Sequence, residues 1–318
     1  MASVMPGKIV FHADDFGMNR AINEGIVRGF REGLLTSTSL LANAPEAAGA
    51  IVQWKGLAEE RRAGWSSEPL RRRLGDPRSG FDVGVHLNLT QGRPLSPRYP
   101  AELLDDAGRF PGILRLFRNL RGSDCRFREG LREELARQVA LLVDHGVRPT
   151  HLNGHQYVEM IPAVAELIPD ILGRFGIGVC RAAVERSLWR STLWCGWGLR
   201  LWLLGCVKRS YARRFRARLR RWAVAHPDGF CGTVHAGRID LRLLEVFLAG
   251  RGRAEMIEIG LHPAEPSPAP AAGSPADGWE DPLAELRPNE LHMLLTAELA
   301  SLMDRHQLRL GRLSELAA

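Results

Sequence analysis

KIVFHADDFG, from Lys8 to Gly17, predicts the first β-strand of the chain and a pair of adjacent carboxylates at its end. The apolar run Ile9 to Phe11 is typical of a short buried strand, and it stops at His12. Asp14 and Asp15 follow. Neighbouring carboxylates repel, so at least one has a raised pKa unless a cation lies beside them, and such a pair lets one Asp bind a metal while the other acts as a base. An Asp-Asp turn or a helix N-cap is the alternative interpretation.

The rest of the sequence alternates predicted helices with predicted strands. Helices are predicted over residues 21–32, 47–54, 127–145, 161–175, 241–248 and 289–303, and strands over residues 34–41, 81–89, 149–152, 178–181, 254–261 and 308–310. This alternation predicts a parallel sheet, and an α/β barrel keeps its chemical residues at the carboxyl ends of its strands. We therefore expect an α/β fold, a (β/α) barrel that forms one domain over residues 1–318.

The composition is that of an ordinary globular protein, with 45% hydrophobic and 25% charged residues in a chain of 318. The five cysteines are odd in number and form no CxxC pair, which argues against a disulfide framework and indicates a reducing compartment. The stretch before the first strand lacks the long apolar core of a secretory signal. We therefore expect a cytoplasmic protein.

Three potential metal ligands lie at or just after the ends of three different predicted strands: Asp15, His86 and His155. Two imidazoles and one carboxylate form a facial set that leaves positions on a divalent metal open for water and substrate. Each residue alone is more often structural, but together at one end of a barrel they predict a metal site. The set suits Zn²⁺, with Mg²⁺, Mn²⁺, Co²⁺, Ni²⁺ or Fe²⁺ as alternatives.

Four ordered motifs carry a family resemblance: ADDFG with the Thr/Ser-rich LLTSTSLL, then GVHLNLTQGRPL, RPTHLNGHQ and LHPAEP. With these motifs the sequence resembles the YdjC-like family of metal-dependent carbohydrate deacetylases over most of its length. The resemblance implies a distorted (β/α) barrel related to that of the polysaccharide deacetylases, and it implies the same three metal ligands. The sequence departs from the family pattern at four positions, none of which is a predicted ligand: His12, Asn153, Tyr157 and Glu159.

The resemblance also implies an acid and a base. Asp14 would take a proton from a water whose pKa the metal has lowered, and His262 would protonate the leaving amide nitrogen, giving acetate and a free amine. Three further residues are predicted to support substrate binding. Arg181 orients the substrate or forms a surface ion pair. Glu258 orients a catalytic group or pairs with an arginine, and His151 lies behind the ligands rather than among them.

Residues 187–226 form a predicted helical insertion that is rich in tryptophan and arginine. Trp189, Trp194, Trp197 and Trp202 are four of the eight tryptophans of the chain, and 8 of the 14 residues from 208 to 221 are basic. Without the 11 basic residues of 186–221 the formal charge of +7 becomes −4. Two arginines and several polar residues exclude a bilayer span, whereas tryptophan and leucine flanked by arginine are typical of a helix at an anionic membrane surface.

The role of the insertion leaves two alternatives for the substrate, a lipid-linked sugar and a soluble one. If it binds the inner face of the cytoplasmic membrane, the substrate is an N-acetylated amino sugar on a lipid. The sequence then resembles the hopanoid-biosynthesis-associated branch of the family, whose expected substrate is an N-acetylglucosaminyl hopanoid. If the insertion packs on the barrel, a soluble oligosaccharide such as chitobiose is the alternative. A non-catalytic membrane or nucleic-acid binder is a third hypothesis, and no nucleic-acid module accompanies the basic segment.

Overall fold

The computed structural model describes residues 7–64, 80–120, 125–185, 188–194, 198–252, 254–267 and 277–317. Trp197, and Ser187 at the predicted start of the insertion, lie outside these residues. The positions of the remaining predicted elements are all described, at least in part.

Eight strands form one sheet in which every strand pairing is parallel. They are β1 Lys8–Phe16, β2 Ser37–Leu40, β3 Asp82–Leu87, β4 His151–Gly154, β5 Val179–Cys180, β6 Gly229–Cys231, β7 Met256–Leu261 and β8 Arg309–Leu310. The order across the sheet is β5-β4-β3-β2-β1-β7-β6, and β8 pairs with the start of β1. Apart from Lys8, β1 is buried along its length, because helices cover a parallel sheet on its outer face.

The helices between these strands match the predicted alternation. They are α1 Arg20–Arg31, α2 Ala47–Arg62, α3 Ile113–Leu120, α4 Arg128–Asp144, α5 Pro162–Ala165, α6 Ile168–Phe175, α7 Leu188–Trp194, α8 Gly198–Arg221, α9 Leu241–Ala249, α10 Arg287–Leu295 and α11 Ala297–Arg305. Among the described residues no helix is both long enough and apolar enough to cross a bilayer.

The two edge strands of the sheet approach each other, so the sheet curls into a distorted barrel. Single parallel bridges join Val179 to Ala225 and Glu185 to Phe230. The backbone N–H of Cys180 donates to the Ala225 carbonyl at 3.0 Å. The predicted fold class, a distorted (β/α) barrel, is confirmed.

The first strand is longer than the sequence predicts, because it continues through the polar residues to Phe16. Its polar side chains stay inside the barrel, where other buried polar groups contact them; Asp14, for example, accepts hydrogen bonds from Arg181. The interpretation of the carboxylates as a helix cap is wrong, since Asn19 caps α1 by accepting a hydrogen bond from the Ile22 N–H at 2.9 Å.

Three further differences have local causes. Strand β6 was not predicted from the sequence, because its three residues are too few to show a period. The helix predicted over 161–175 is divided into α5 and α6. The helix predicted over 289–303 is divided into α10 and α11 at Thr296, which has the extended conformation φ −78°, ψ 145°.

Candidate metal and catalytic site

Asp15, His86 and His155 lie together at the carboxyl end of the barrel. Each offers one ligand atom, and these atoms lie within 4.8 Å of one another. One oxygen of Asp15, Oδ1, is 2.9 Å from His155 Nδ1 and 3.4 Å from His86 Nε2. All three residues are buried. The three residues predicted from the strand ends therefore do lie together. Their donor atoms and the spacing between those atoms suit a divalent cation.

Backbone strain accompanies two of these three residues. Asp15 has φ +67°, and the pairing of β1 with β2 shifts its register between Ala13 and Phe16. Gln156 and Tyr157, directly after His155, have φ of +54° and +64°. A residue other than glycine with positive φ costs about 1–3 kcal/mol, so the surrounding fold must hold it there. Such strain is concentrated at functional sites, where it fixes the direction of a side chain.

Asn153 of β4 orients both His86 and Asp14. The amide Nδ2 donates to Asp14 Oδ1 at 2.9 Å, so the amide oxygen faces His86 Nδ1 at 2.7 Å. That oxygen can only accept, which places the imidazole proton on Nδ1 and leaves Nε2 free to bind a cation. In the sequence Asn153 stands out only as a departure from the family pattern, and nothing in its spacing predicts this contact.

Arg287 holds the other oxygen of Asp15. Its Nη2 donates to Asp15 Oδ2 at 2.8 Å, and its Nε donates to Asp281 Oδ2 at 2.8 Å. Burial would raise the pKa of Asp15, but Arg287 and His155 outweigh it and hold the pKa well below its usual range. The carboxylate is therefore ionised, as a metal ligand must be. No sequence signal pointed to Arg287.

Arg181 holds Asp14 in the same way. The guanidinium donates from Nη1 to Oδ2 at 2.7 Å and from Nη2 to Oδ1 at 2.9 Å. Burial raises the pKa of Asp14, but Arg181, His86 and His12 together lower it well below its usual range. Both neighbouring carboxylates are thus ionised, because each one has a cation beside it. The sequence predicts a raised pKa only where such a cation is missing.

Three buried side chains pack around the ion pair of Arg181 and Asp14: Glu258, His12 and His151. Arg181 Nε donates to Glu258 Oε1 at 2.8 Å, and His12 lies between Glu258 and Asp14, with Nδ1 3.6 Å from Glu258 Oε1 and Nε2 3.2 Å from Asp14 Oδ1. The ring of His151 packs edge-on against His12 at 4.9 Å. Arg181, Glu258 and His151 are 0% exposed, which favours positioning of Asp14 over direct substrate contact. Their roles stay predictions.

His262 lies just after β7 and close to Asp14. Its Nε2 is 3.9 Å from Asp14 Oδ2, and its backbone N–H donates to Glu290 Oε2. Burial lowers the pKa of His262 to about 4, although Asp15 and Asp14 oppose the shift. The imidazole is therefore neutral near pH 7 and must gain a proton before it can donate one.

A cleft of about 580 Å³ is lined in part by the residue that follows the candidate ligand His155. Gln156, next to His155, lines it together with Gln91, Arg109, Phe110 and Glu280. An aromatic ring among amide and charged groups is a suitable lining for a sugar, which presents both hydroxyl groups and apolar C–H faces. The sequence predicts only a connecting loop around Phe110 and gives it no role in binding.

Lys208 brings the insertion into contact with the neighbourhood of the candidate site. Lys208 of α8 lies over the ring of Tyr157 at 5.0 Å, and its Nζ donates to the Thr233 carbonyl at 3.0 Å. Tyr157 in turn contacts Phe230, over which Arg181 is stacked at 4.8 Å. The middle of α8 therefore packs beside Tyr157, close to the candidate catalytic residues, while Gly205, Ala212, Phe215 and Leu219 form its buried face.

Comparison with known proteins gives one family. The model of that family, described as "YdjC-like protein", matches residues 8–305. A carbohydrate deacetylase of Mus musculus is 31% identical over 97% of this chain and 94% of its own length. A carbohydrate deacetylase of Brevibacillus brevis is 26% identical over 97% and 99%. A chitooligosaccharide deacetylase of Enterobacter sp. is 31% identical over 54% and 58%.

A solved structure supports the fold. A candidate cellobiose-phosphate cleavage protein from Enterococcus faecalis superposes with a TM-score of 0.68, covering 98% of this chain and 100% of the other. The two sequences are 20% identical. This likeness extends over the whole barrel and concerns the fold alone.

Proposed function

This chain belongs to the YdjC-like family, and on that premise we propose that it is a metal-dependent N-deacetylase of amino sugars, a hydrolase of linear amide bonds. The observation that carries the proposal is the buried group Asp15, His86 and His155. Asp14 lies directly beside this group as an ionised carboxylate and is not one of its three ligands. Relatives along the full length of the chain are named carbohydrate deacetylases. The activity, the metal and the substrate are all part of the proposal.

Asp15, His86 and His155 would hold the cation. The fit rests on their donor set, on the ionised state of Asp15 and on His155 Nε2, a buried ring nitrogen with no hydrogen-bond partner. A divalent cation held there, with Zn²⁺ as the best match to two imidazoles and a carboxylate, would lower the pKa of a water and polarise the amide carbonyl. Mg²⁺, Mn²⁺, Co²⁺ and Ni²⁺ remain alternatives.

Asp14 acts as the general base. It accepts a proton from the water whose oxygen attacks the acetyl carbon, and Arg181 keeps its carboxylate ionised and in place until that moment. Because the pKa of Asp14 is low, proton transfer depends on a water that is itself acidified. The cation would make the water more acidic, and the ion pair with Arg181 keeps the carboxylate of Asp14 ionised.

His262 delivers a proton to the amide nitrogen as the C–N bond breaks, and acetate and a free amine leave. Since the imidazole is neutral near pH 7, it must receive this proton during the reaction. Asp14 Oδ2, 3.9 Å from Nε2, carries the proton taken from water and is the nearest described acidic oxygen to that nitrogen. A small movement would allow the proton to pass from one residue to the other.

We further propose that the amino sugar is carried by a membrane lipid, with an N-acetylglucosaminyl hopanoid as the candidate. The support is an exposed apolar stripe at the start of α8, where Leu199, Leu203 and Val207 are 68%, 50% and 56% exposed. Arg214 and Arg218 continue the same helical face. Apolar residues followed by arginines match an anionic membrane surface, and the protein would then bind the inner face of the cytoplasmic membrane.

The soluble alternative also has a specific observation in its favour. One relative is named a chitooligosaccharide deacetylase, and the cleft beside Gln156 has a volume of about 580 Å³. The same residues would carry the same chemistry on chitobiose. The two substrates therefore differ in where they bind outside the metal site, not in the reaction.

The test is amine release from an N-acetylglucosaminyl lipid and from chitobiose, each with wild type and with Asp14→Asn after addition of Zn²⁺. Asp106→Asn, at an exposed position, is the matched control. Release from either substrate that falls at least about 10²-fold in Asp14→Asn alone supports the deacetylase. The substrate that is turned over decides between lipid and soluble sugar. No release by the metal-loaded wild type, or equal rates in both variants, would refute the enzyme.

A further inference from the structure

One face of α8 carries four arginines that line a cleft of about 500 Å³. They are Arg209, Arg213, Arg216 and Arg220. Their spacing of four, three and four residues places them along one side of a helix, one above the other. The cleft is distinct from the one beside Gln156, with which it shares no lining residue.

The charges in this cleft are poorly compensated. Within the described residues, Arg209, Arg213 and Arg220 form no ion pair with a carboxylate, and Arg209 Nε is buried without a hydrogen-bond partner. Asp228 is the acidic residue among the described lining residues, and its Oδ2 accepts hydrogen bonds from the backbone N–H groups of Glu255 and Met256. Its single charge can balance at most one of the four arginines. Like charges on one face repel, so such an arrangement is stabilised by an anion that neutralises it.

The cleft extends along α8 to the amino-terminal edge of the sheet. Asp228 immediately precedes β6 and bonds to the start of β7, so this end of the lining lies at that edge. Asp15 and His155 lie at the opposite edge. An anion bound here is therefore not the sugar group whose amide is cleaved.

We propose that this arginine cleft binds a phosphate group with two or more negative charges. Four guanidinium groups present many N–H donors in fixed planar arrays, which match the tetrahedral oxygens of phosphate better than the single plane of a carboxylate. The cavity is large enough for a phosphomonoester or a diphosphate. Its source is either a free phosphate compound or a lipid headgroup. The proposal goes beyond the deacetylase function and does not depend on it.

Two matched variants test the cleft. Arg213→Gln with Arg220→Gln removes two exposed charges from the cleft. Arg62→Gln with Arg148→Gln, the control, removes two exposed charges outside α8. Both double variants change the net charge equally, so a general electrostatic effect weakens binding in both.

The experiment measures binding of inorganic diphosphate by calorimetry and binding to phosphatidylcholine vesicles with and without phosphatidic acid. We expect saturable one-to-one binding of diphosphate that weakens about tenfold or more in the cleft variant and stays unchanged in the control. If diphosphate does not bind but the cleft variant loses binding to phosphatidic acid beyond the control, the ligand is a lipid headgroup and the proposal also stands. Equal losses in both variants, or no binding of either probe, would overturn it.

Deacetylation of chitobiose by the same variants separates this proposal from the catalytic one. The cleft variant should retain the wild-type rate, because the arginine cleft shares no lining residue with the cleft beside Gln156. Loss of phosphate binding with full activity would show that the two sites act separately, as proposed.

Discussion

Arg181 and Asp14 form a two-point ion pair inside the barrel, with N–O distances of 2.7 and 2.9 Å. Asp14 and Asp15 are adjacent in the chain, yet each pairs with its own arginine, Arg181 or Arg287. Two carboxylates that would repel each other are thereby kept ionised side by side. One remains available for a cation and the other for a proton.

Replacing Arg181 by Met should change the pH dependence of deacetylation. The guanidinium now lowers the pKa of Asp14, so its removal leaves burial as the dominant influence and the pKa rises. A base must be ionised, and the acidic limb of the kcat profile should therefore move to higher pH, with kcat lower by about 10²-fold or more. Steady-state rates across pH measure both effects.

Two comparison variants make that result specific. Arg181→Lys keeps the charge and should keep the acidic limb near its wild-type position, while the loss of two-point geometry lowers kcat. Arg287→Met, which affects Asp15 instead, should raise the metal concentration needed for activity. An acidic limb that does not move in Arg181→Met would contradict the role given to this ion pair.

His155→Ala should abolish stabilisation of the protein by metal. A ligand that binds only the folded state raises the free energy of unfolding, by about 2.7 kcal/mol at 100 times its Kd. Wild type should therefore show a higher thermal midpoint after addition of Zn²⁺, and His155→Ala should not. His145→Ala, at an exposed position, is the control. A shift of wild-type size in His155→Ala would remove this residue from the ligand set.

Glu159→Gln should make stability less sensitive to alkaline pH. Burial raises the pKa of Glu159 to about 8, and Arg181 compensates only in part. Because the pKa in the folded state exceeds that of the unfolded chain, its contribution to stability is complete below about pH 4.5 and is lost as pH rises through about 8. Urea unfolding of metal-free protein at pH 5 and pH 9 should show a loss of several kcal/mol that is smaller in the variant.

The control for that measurement is Glu102→Gln, since Glu102 is exposed. It should lose as much stability as wild type between the two pH values. If Glu159→Gln behaves in the same way as this control, the carboxyl group of Glu159 does not titrate in the alkaline range.

Leu199→Ser with Leu203→Ser should weaken binding to anionic vesicles without changing hydrolysis of a soluble sugar. Both leucines are at least half exposed on α8, so their replacement costs the fold little, whereas a lipid surface would lose two buried side chains. Vesicle sedimentation measures the effect. Val52→Ser, which is 70% exposed on α2, is the control for a general change in surface polarity. Unchanged sedimentation in the double variant would assign the stripe another role.

The sequence by itself determined the family, the barrel and the grouping of three candidate ligands. Alternating apolar segments predict the strands, and the ends of parallel strands meet at one edge, so Asp15, His86 and His155 could be grouped without coordinates. The family resemblance read from four motifs is confirmed by the match over residues 8–305. These features are local in the chain, and local patterns are visible in a sequence.

Only the tertiary structure decided which charges face each other. Arg287 lies 272 residues from Asp15, and Arg181 lies 167 residues from Asp14. Neither pairing leaves a periodic signal, because it depends on how the barrel closes. The same holds for the arginine cleft, where a basic segment that the sequence shows as one block is divided by helical geometry between two faces. Sequence spacing gives each residue its place on an element, whereas packing of the elements gives that residue its partner.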